Sequence, residues 1–132
     1  KSKLSPDANV YTSARVPREE AIKYTLSSHI LVYPGWKNYE GIYSGKIFEY
    51  LGAQKNILIA PGDMDIIDQL VEKSGAGKIA HTETECFLIL KQWFDEWEKN
   101  GSVRYSGKKE IINTYKRESL AKTLADYILS LQ

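Results

Sequence analysis

The segment Y43-S-G-K-I-F-E-Y-L-G-A-Q-K-N-I-L-I-A-P-G62 places a helical pattern directly before a strand pattern. At about 100° per residue, Ile47, Phe48 and Leu51 fall on one side of a helix. Glu49 falls on the other side, beside Gly45, Gly52 and Ala53. Ser44 suits the N-cap, and Gly52 stands where the helix is expected to stop. Residues 56–61, NILIAP, lack polar alternation, which is the pattern of a strand buried on both faces.

Outward from this unit, short β-like runs alternate with helical patterns. Upstream, NVYTSA (9–14) reads as a strand, followed by a helix over about 18–28. Pro17 fits the first helical turn, and Glu19 and Glu20 favour its positive end. HILVYP (29–34) reads as a second strand buried on both faces. Downstream, a helix over about 63–73 stops at Ser74-Gly75-Ala76-Gly77, and GKIAH offers a short strand. Thr82 and Glu85 form a capping-box pair before a helix over about 83–99. GSVRYSG then leads into a helical region over about 108–131. Strands alternating with helices predict an α/β fold, right-handed βαβ units in a parallel sheet with helices on both faces, in one domain over residues 1–132.

The 132 residues are 42% apolar and 27% charged, with a net charge of +1 from 18 basic and 17 acidic side chains. That balance argues against nucleic acid as a partner, because such affinity comes largely from phosphate neutralisation by clustered cations. The short basic pairs Lys108-Lys109 and Lys116-Arg117 read as solvated surface. Cys86 is the only cysteine, so no internal disulfide forms, and a reducing cytoplasmic setting is expected. No apolar run reaches the roughly 18 residues of a membrane span.

Ligands of open parallel sheets bind where strands run into helices at their carboxyl ends. Ser13–Pro17, Tyr33–Lys46 and Pro61–Asp65 are the three such places. At Ser44-Gly45-Lys46 the amides of a helix start and a lysine suit a phosphate or diphosphate. A P-loop is excluded, since Glu40 stands where its first glycine belongs and Ile47 replaces its magnesium-binding hydroxyl. No GxGxxG follows a strand. His29 and His81 read as structural, and without suitable partners at ligand spacing no metal is expected. Trp93, Phe94 and Trp97 form a stripe at helical spacing that reads as packing, or as a face toward another domain.

GKIFEYLGAQKNILIAPG (45–62) resembles the nucleotide-sugar-binding segment of retaining glycosyltransferases built from two Rossmann-like domains, the GT-B architecture. Their C-terminal domains commonly carry G-K-[IL]-x-E-Y-[LM]-[AG]-x-x-[KR]-P-[IV]-L. Here Gly45, Lys46, Ile47, Glu49, Tyr50, Leu51 and Gly52 match, and Asn56 replaces the usual proline. The likeness spans roughly residues 9–131 and concentrates in 43–62. It implies that Glu49 bonds the ribose hydroxyls as the second acid of a Glu-x7-Glu motif. The first acid falls at Gly41, with Glu40 beside it. It implies further that Ser44, Gly45 and Lys46 hold the diphosphate and that the Arg15-Val16 backbone reads the base.

The resemblance makes the chain most of a C-terminal donor-binding domain. Its partners would be a nucleotide-diphosphate sugar and an N-terminal acceptor domain, with polysaccharide or glycoconjugate synthesis as the setting. It implies no metal or other cofactor and leaves room for peripheral membrane association of the full-length protein. A chain that opens at Lys1 and has Met64 as its only methionine fits a fragment, binding donor weakly and inactive alone. A non-catalytic interaction module and a response-regulator-like signalling domain are the alternatives from other classes. For the latter, Asp63 and Asp65 follow a strand but read as the N-terminal acids of a helix.

Overall fold

Strands β1 (Ile30–Tyr33), β2 (Asn56–Ile59) and β3 (Gly77–Ile79) form one parallel sheet in the order β1-β2-β3. The computed structural model describes residues 9–36 and 39–131. Register is set by Ile30 opposite Asn56 and Ile57 opposite Gly77. Helices α1 (Arg18–Ser27), α2 (Gly45–Ala53), α3 (Ile66–Ser74) and α4 (Glu83–Asn100) alternate with the strands. The C-terminal helical region expected from sequence comprises two helices, α5 (Lys109–Thr114) and α6 (Arg117–Ser130), with a break at Tyr115-Lys116.

The period-2 geometry of β2 divides the core. Ile57 and Ile59 face α2 and α3, packing with Tyr33, Ile47, Leu51, Ile67, Leu70 and Val71. Leu58 points the other way, onto Ala80 and Trp93 of α4. Helices therefore cover both faces of β2, as its uninterrupted apolar run requires. Asn56 is buried and donates from Nδ2 to the Arg104 carbonyl at 3.1 Å, which ties the 101–108 loop to the sheet.

Two strand expectations fail. NVYTSA is not a strand: residues 9–17 have no regular structure and are almost wholly exposed. An alternating pattern pays the ordering entropy of a strand only when a neighbouring ladder exists, and this stretch has none. HILVYP does form β1, but as an edge strand with one face only partly covered. Leu31 and Tyr33 are buried, whereas Val32 is 55% exposed. The apolar run suits a full covering layer, but α4 meets β1 at Ile30 and leaves Val32 exposed.

Helix ends follow the capping rules only in part, since the N-cap residues of α1, α2, α3, α5 and α6 make no side-chain capping bond. Thr82 and Glu85 make the expected capping box at α4. Gly52 does not end α2; the helix runs on through Ala53, and Gln54 takes the left-handed cap with φ of 54°. Helix α1 has no buried residue and packs chiefly on α2, and α6 leaves its apolar side chains in solvent. Among the described residues no helix is long and apolar enough to cross a membrane.

Candidate functional site

Because α1 and α2 each run into the strand that follows, both begin at the carboxyl edge of the sheet and lie parallel. The small residues Gly52 and Ala53 leave a groove between them with a volume of about 290 Å³. One wall is Lys46, Glu49, Gly52 and Ala53; the other is Arg18, Ala21, Ile22, Thr25 and Leu26. The helical wheel thus placed Glu49 correctly, on the side away from Ile47 and Leu51.

Lys46 Nζ sits 2.8 Å from Glu49 Oε2, with both side chains about half exposed. That hydrogen bond holds the Glu49 carboxyl below the ordinary glutamate range, and Arg18 draws it down further. Lys46 also lies 5.7 Å from the centre of the Tyr50 ring. The groove therefore presents two cations around one ionised carboxylate. Arg18 went unnoticed in the sequence because its relevance depends on α1 lying against α2; its place directly after Pro17 was the available signal.

Ser44 is the N-cap of α2, but its side chain makes no capping bond. Its Oγ instead accepts the Tyr33 hydroxyl at 3.0 Å. The first amides of α2 are consequently left without a side-chain acceptor at the positive helix end. Gly45 is exposed, and a Cβ there would touch nothing.

The other two loops are stitched together across the strand ends. Gly35 N–H donates to the Pro61 carbonyl at 2.8 Å, and a Cβ on Gly35 would fall 2.6 Å from that oxygen. Gly41 N–H donates to Asp65 Oδ2 with φ of 72°. That left-handed backbone favours glycine and disfavours the glutamate of a Glu-x7-Glu motif. Glu40 next to it is exposed. Lys37 and Asn38, in the same connection, lie outside the described residues.

Asp63 works as a helix acid, whereas Asp65, the N-cap of α3, makes no side-chain capping bond and accepts from Gly41 instead. Asp63 accepts from the amides of Asp65, Ile67 and Asp68 at 2.9–3.2 Å, which caps α3 from two residues upstream of its formal N-cap. Asp68, 6% exposed, accepts from Asp63 and Met64 amides and faces His81 Nε2 at 3.7 Å. Burial raises the Asp68 carboxyl above its ordinary range. His81 also lines a 430 Å³ surface pocket with Pro61, Cys86, Phe87 and Leu90. The Asp68–His81 pairing spans 13 positions, with a strand between, and has no local sequence signal.

Arg15 and Val16 stand apart from the groove. They sit in the irregular stretch before α1, Arg15 exposed and Val16 partly buried, and neither lines the α1–α2 cavity. The aromatic stripe divides: Trp93 is buried on Leu58, while Phe94 and Trp97 are exposed and His29 meets Trp97 edge-on at 5.9 Å. Cys86 is partly buried against the same cluster.

Compared with known proteins, the chain matches no family model, no curated protein and no solved structure.

Proposed function

We propose that the chain is a nucleotide-sugar donor-binding domain of a GT-B glycosyltransferase, contributing ligand binding to a larger sugar-transferring enzyme. The observation that carries this reading is the α1–α2 groove, where Arg18, Lys46 and Glu49 meet beside an uncapped helix start at the carboxyl edge of a parallel sheet. The chemistry is coherent with the sequence resemblance. A leaving diphosphate needs electrostatic stabilisation, which helix amides and Lys46 supply without a covalent step. Glu49, ionised and half exposed, accepts ribose hydroxyls and acts in positioning rather than as a base. At about 290 Å³ the groove is at the lower limit for a small-molecule pocket, enough for part of a nucleotide. The sugar and acceptor then belong to a second domain facing the loops.

Titration with uridine diphosphate and guanosine diphosphate, read by calorimetry, tests the proposal. Saturable binding that Glu49→Ala abolishes supports it. Absence of binding to any nucleoside diphosphate, in a chain extended to the complete donor domain, would sink it.

The interaction-module reading has one observation in its favour, the uncovered apolar strip of Val32, Leu90, Phe94 and Trp97. Such a strip suits a neighbouring domain or partner. It also suits the donor-domain reading, which requires additional structure beside β1.

A further inference from the structure

One lysine from each of two basic pairs, which in the sequence read as unrelated surface charge, lines one cavity at the opposite end of α2 from Lys46. Lys109 and Lys116 bracket α5 and line a pocket of about 350 Å³ with Gln54, Asn113, Tyr105 and Gly107. Its floor is apolar, formed by Leu51 and Ile112. No acidic residue lines it. Among the described residues the ion pairs are Lys46–Glu49, Lys91–Asp95 and His81–Asp68, so neither pocket lysine has a carboxylate partner.

The second observation is the Tyr105 hydroxyl. Its oxygen is sealed from solvent and makes no hydrogen bond. Buried polar groups are nearly always satisfied, and an orphan of this kind calls for a missing partner. Burial also raises the Tyr105 hydroxyl above its ordinary range, so it remains a proton donor. Gly107 lies directly over it, where a Cβ would collide with the hydroxyl. A glycine is the thinnest cover a residue can give, and a ligand reaches the donor only by displacing it.

We infer that this pocket is a binding site for a small phosphate monoester carried on a compact apolar body. Lys109 and Lys116 supply the charge, Tyr105, Gln54 and Asn113 supply neutral donors, and Leu51 and Ile112 receive the apolar part. Lysine ammonium groups recognise phosphate as point charges. The cavity volume falls within the range for small-molecule sites. The inference is independent of the donor-site reading, which rests on the other end of α2.

The test is a nitrogen-15 NMR titration of the chain with phenyl phosphate, inorganic phosphate and benzyl alcohol. The expected result is saturable movement of the Gln54, Gly107 and Asn113 amides with phenyl phosphate. Inorganic phosphate should bind more weakly, by about tenfold, and benzyl alcohol should bind least, since the phosphate charge carries most of the affinity. The double substitution Lys109→Ser with Lys116→Ser should reduce phenyl phosphate affinity by at least about tenfold. Tyr105→Phe should reduce it several-fold while leaving the remaining spectrum in place. No saturable movement at these amides overturns the inference, as does an affinity unchanged by the double substitution or by Tyr105→Phe.

Discussion

The Tyr33 hydroxyl donates to Ser44 Oγ across 3.0 Å, joining the last residue of β1 to the N-cap of α2. Tyr33 is only 5% exposed, so its hydroxyl depends on that partner. Ser44 gives up its usual capping role to provide it. This exchange leaves the start of α2 available to a ligand.

It follows that the two halves of the pair differ in cost. Ser44→Ala strands a buried donor and should destabilise by about 1–3 kcal/mol, whereas Tyr33→Phe removes donor and need together and should cost about 1 kcal/mol or less. Urea denaturation of both single variants and the double variant measures the difference. A double variant as unstable as the sum of the singles would show that the hydroxyls do not interact.

The groove predicts a charge effect on nucleotide binding. Lys46→Ala should weaken nucleoside diphosphate binding by about tenfold or more, because it removes a phosphate cation. In the same variant the Glu49 carboxyl loses the hydrogen bond that lowers it and should titrate higher. Carbon-13 NMR of Glu49 reads this directly. An unchanged Glu49 titration would mean that the 2.8 Å contact does not persist in solution.

Gln54 holds a left-handed cap with φ of 54° at the end of α2. Glycine takes that conformation without a Cβ penalty, so Gln54→Gly should stabilise by about 0.5–1 kcal/mol after its extra unfolded-state entropy is counted. Thermal denaturation checks it, and a fall in Tm would contradict the cap geometry.

Burial on the sheet sets a sharper contrast. Leu58→Ala should cost about 2–5 kcal/mol, since Leu58 fills the space against Ala80 and Trp93. Val32→Thr, at an exposed position of the neighbouring strand, should change stability by no more than about 0.5 kcal/mol. Chemical denaturation of the two variants compares them. A large cost at Val32 would mean that its face is covered in solution.

That contrast also marks what the sequence could disclose. NILIAP was legible because both of its neighbours, β1 and β3, and helices on both faces come from this chain. HILVYP and NVYTSA have equally suitable residues, but a pattern states what environment a segment favours, not whether the chain supplies it. Thr82 with Glu85, and Asp63 ahead of α3, were legible because capping is local. Glu49 was legible from helical period alone. Arg18 in the groove, Asp68 beside His81, and Lys109 with Lys116 around Tyr105 depend on approaches between elements, which no short-range signal encodes.

Asp68 supplies the clearest pH dependence. Its folded carboxyl is raised by burial above the ordinary 3.8, so in the window between those two values the folded chain binds more protons than the unfolded chain. Stability from this group therefore increases as pH falls through the raised value, and the full gain is present below 3.8. The ionised form at neutral pH bears the burial penalty, partly offset by the Asp63 and Met64 amides. Asp68→Asn removes the titration. Urea denaturation of both proteins across this range should show wild type gaining on Asp68→Asn as the solution is acidified. Wild type instead losing stability relative to Asp68→Asn with acid would mean that the folded carboxylate is stabilised by its amides and His81 more than it is penalised by burial, with its titration then falling below 3.8.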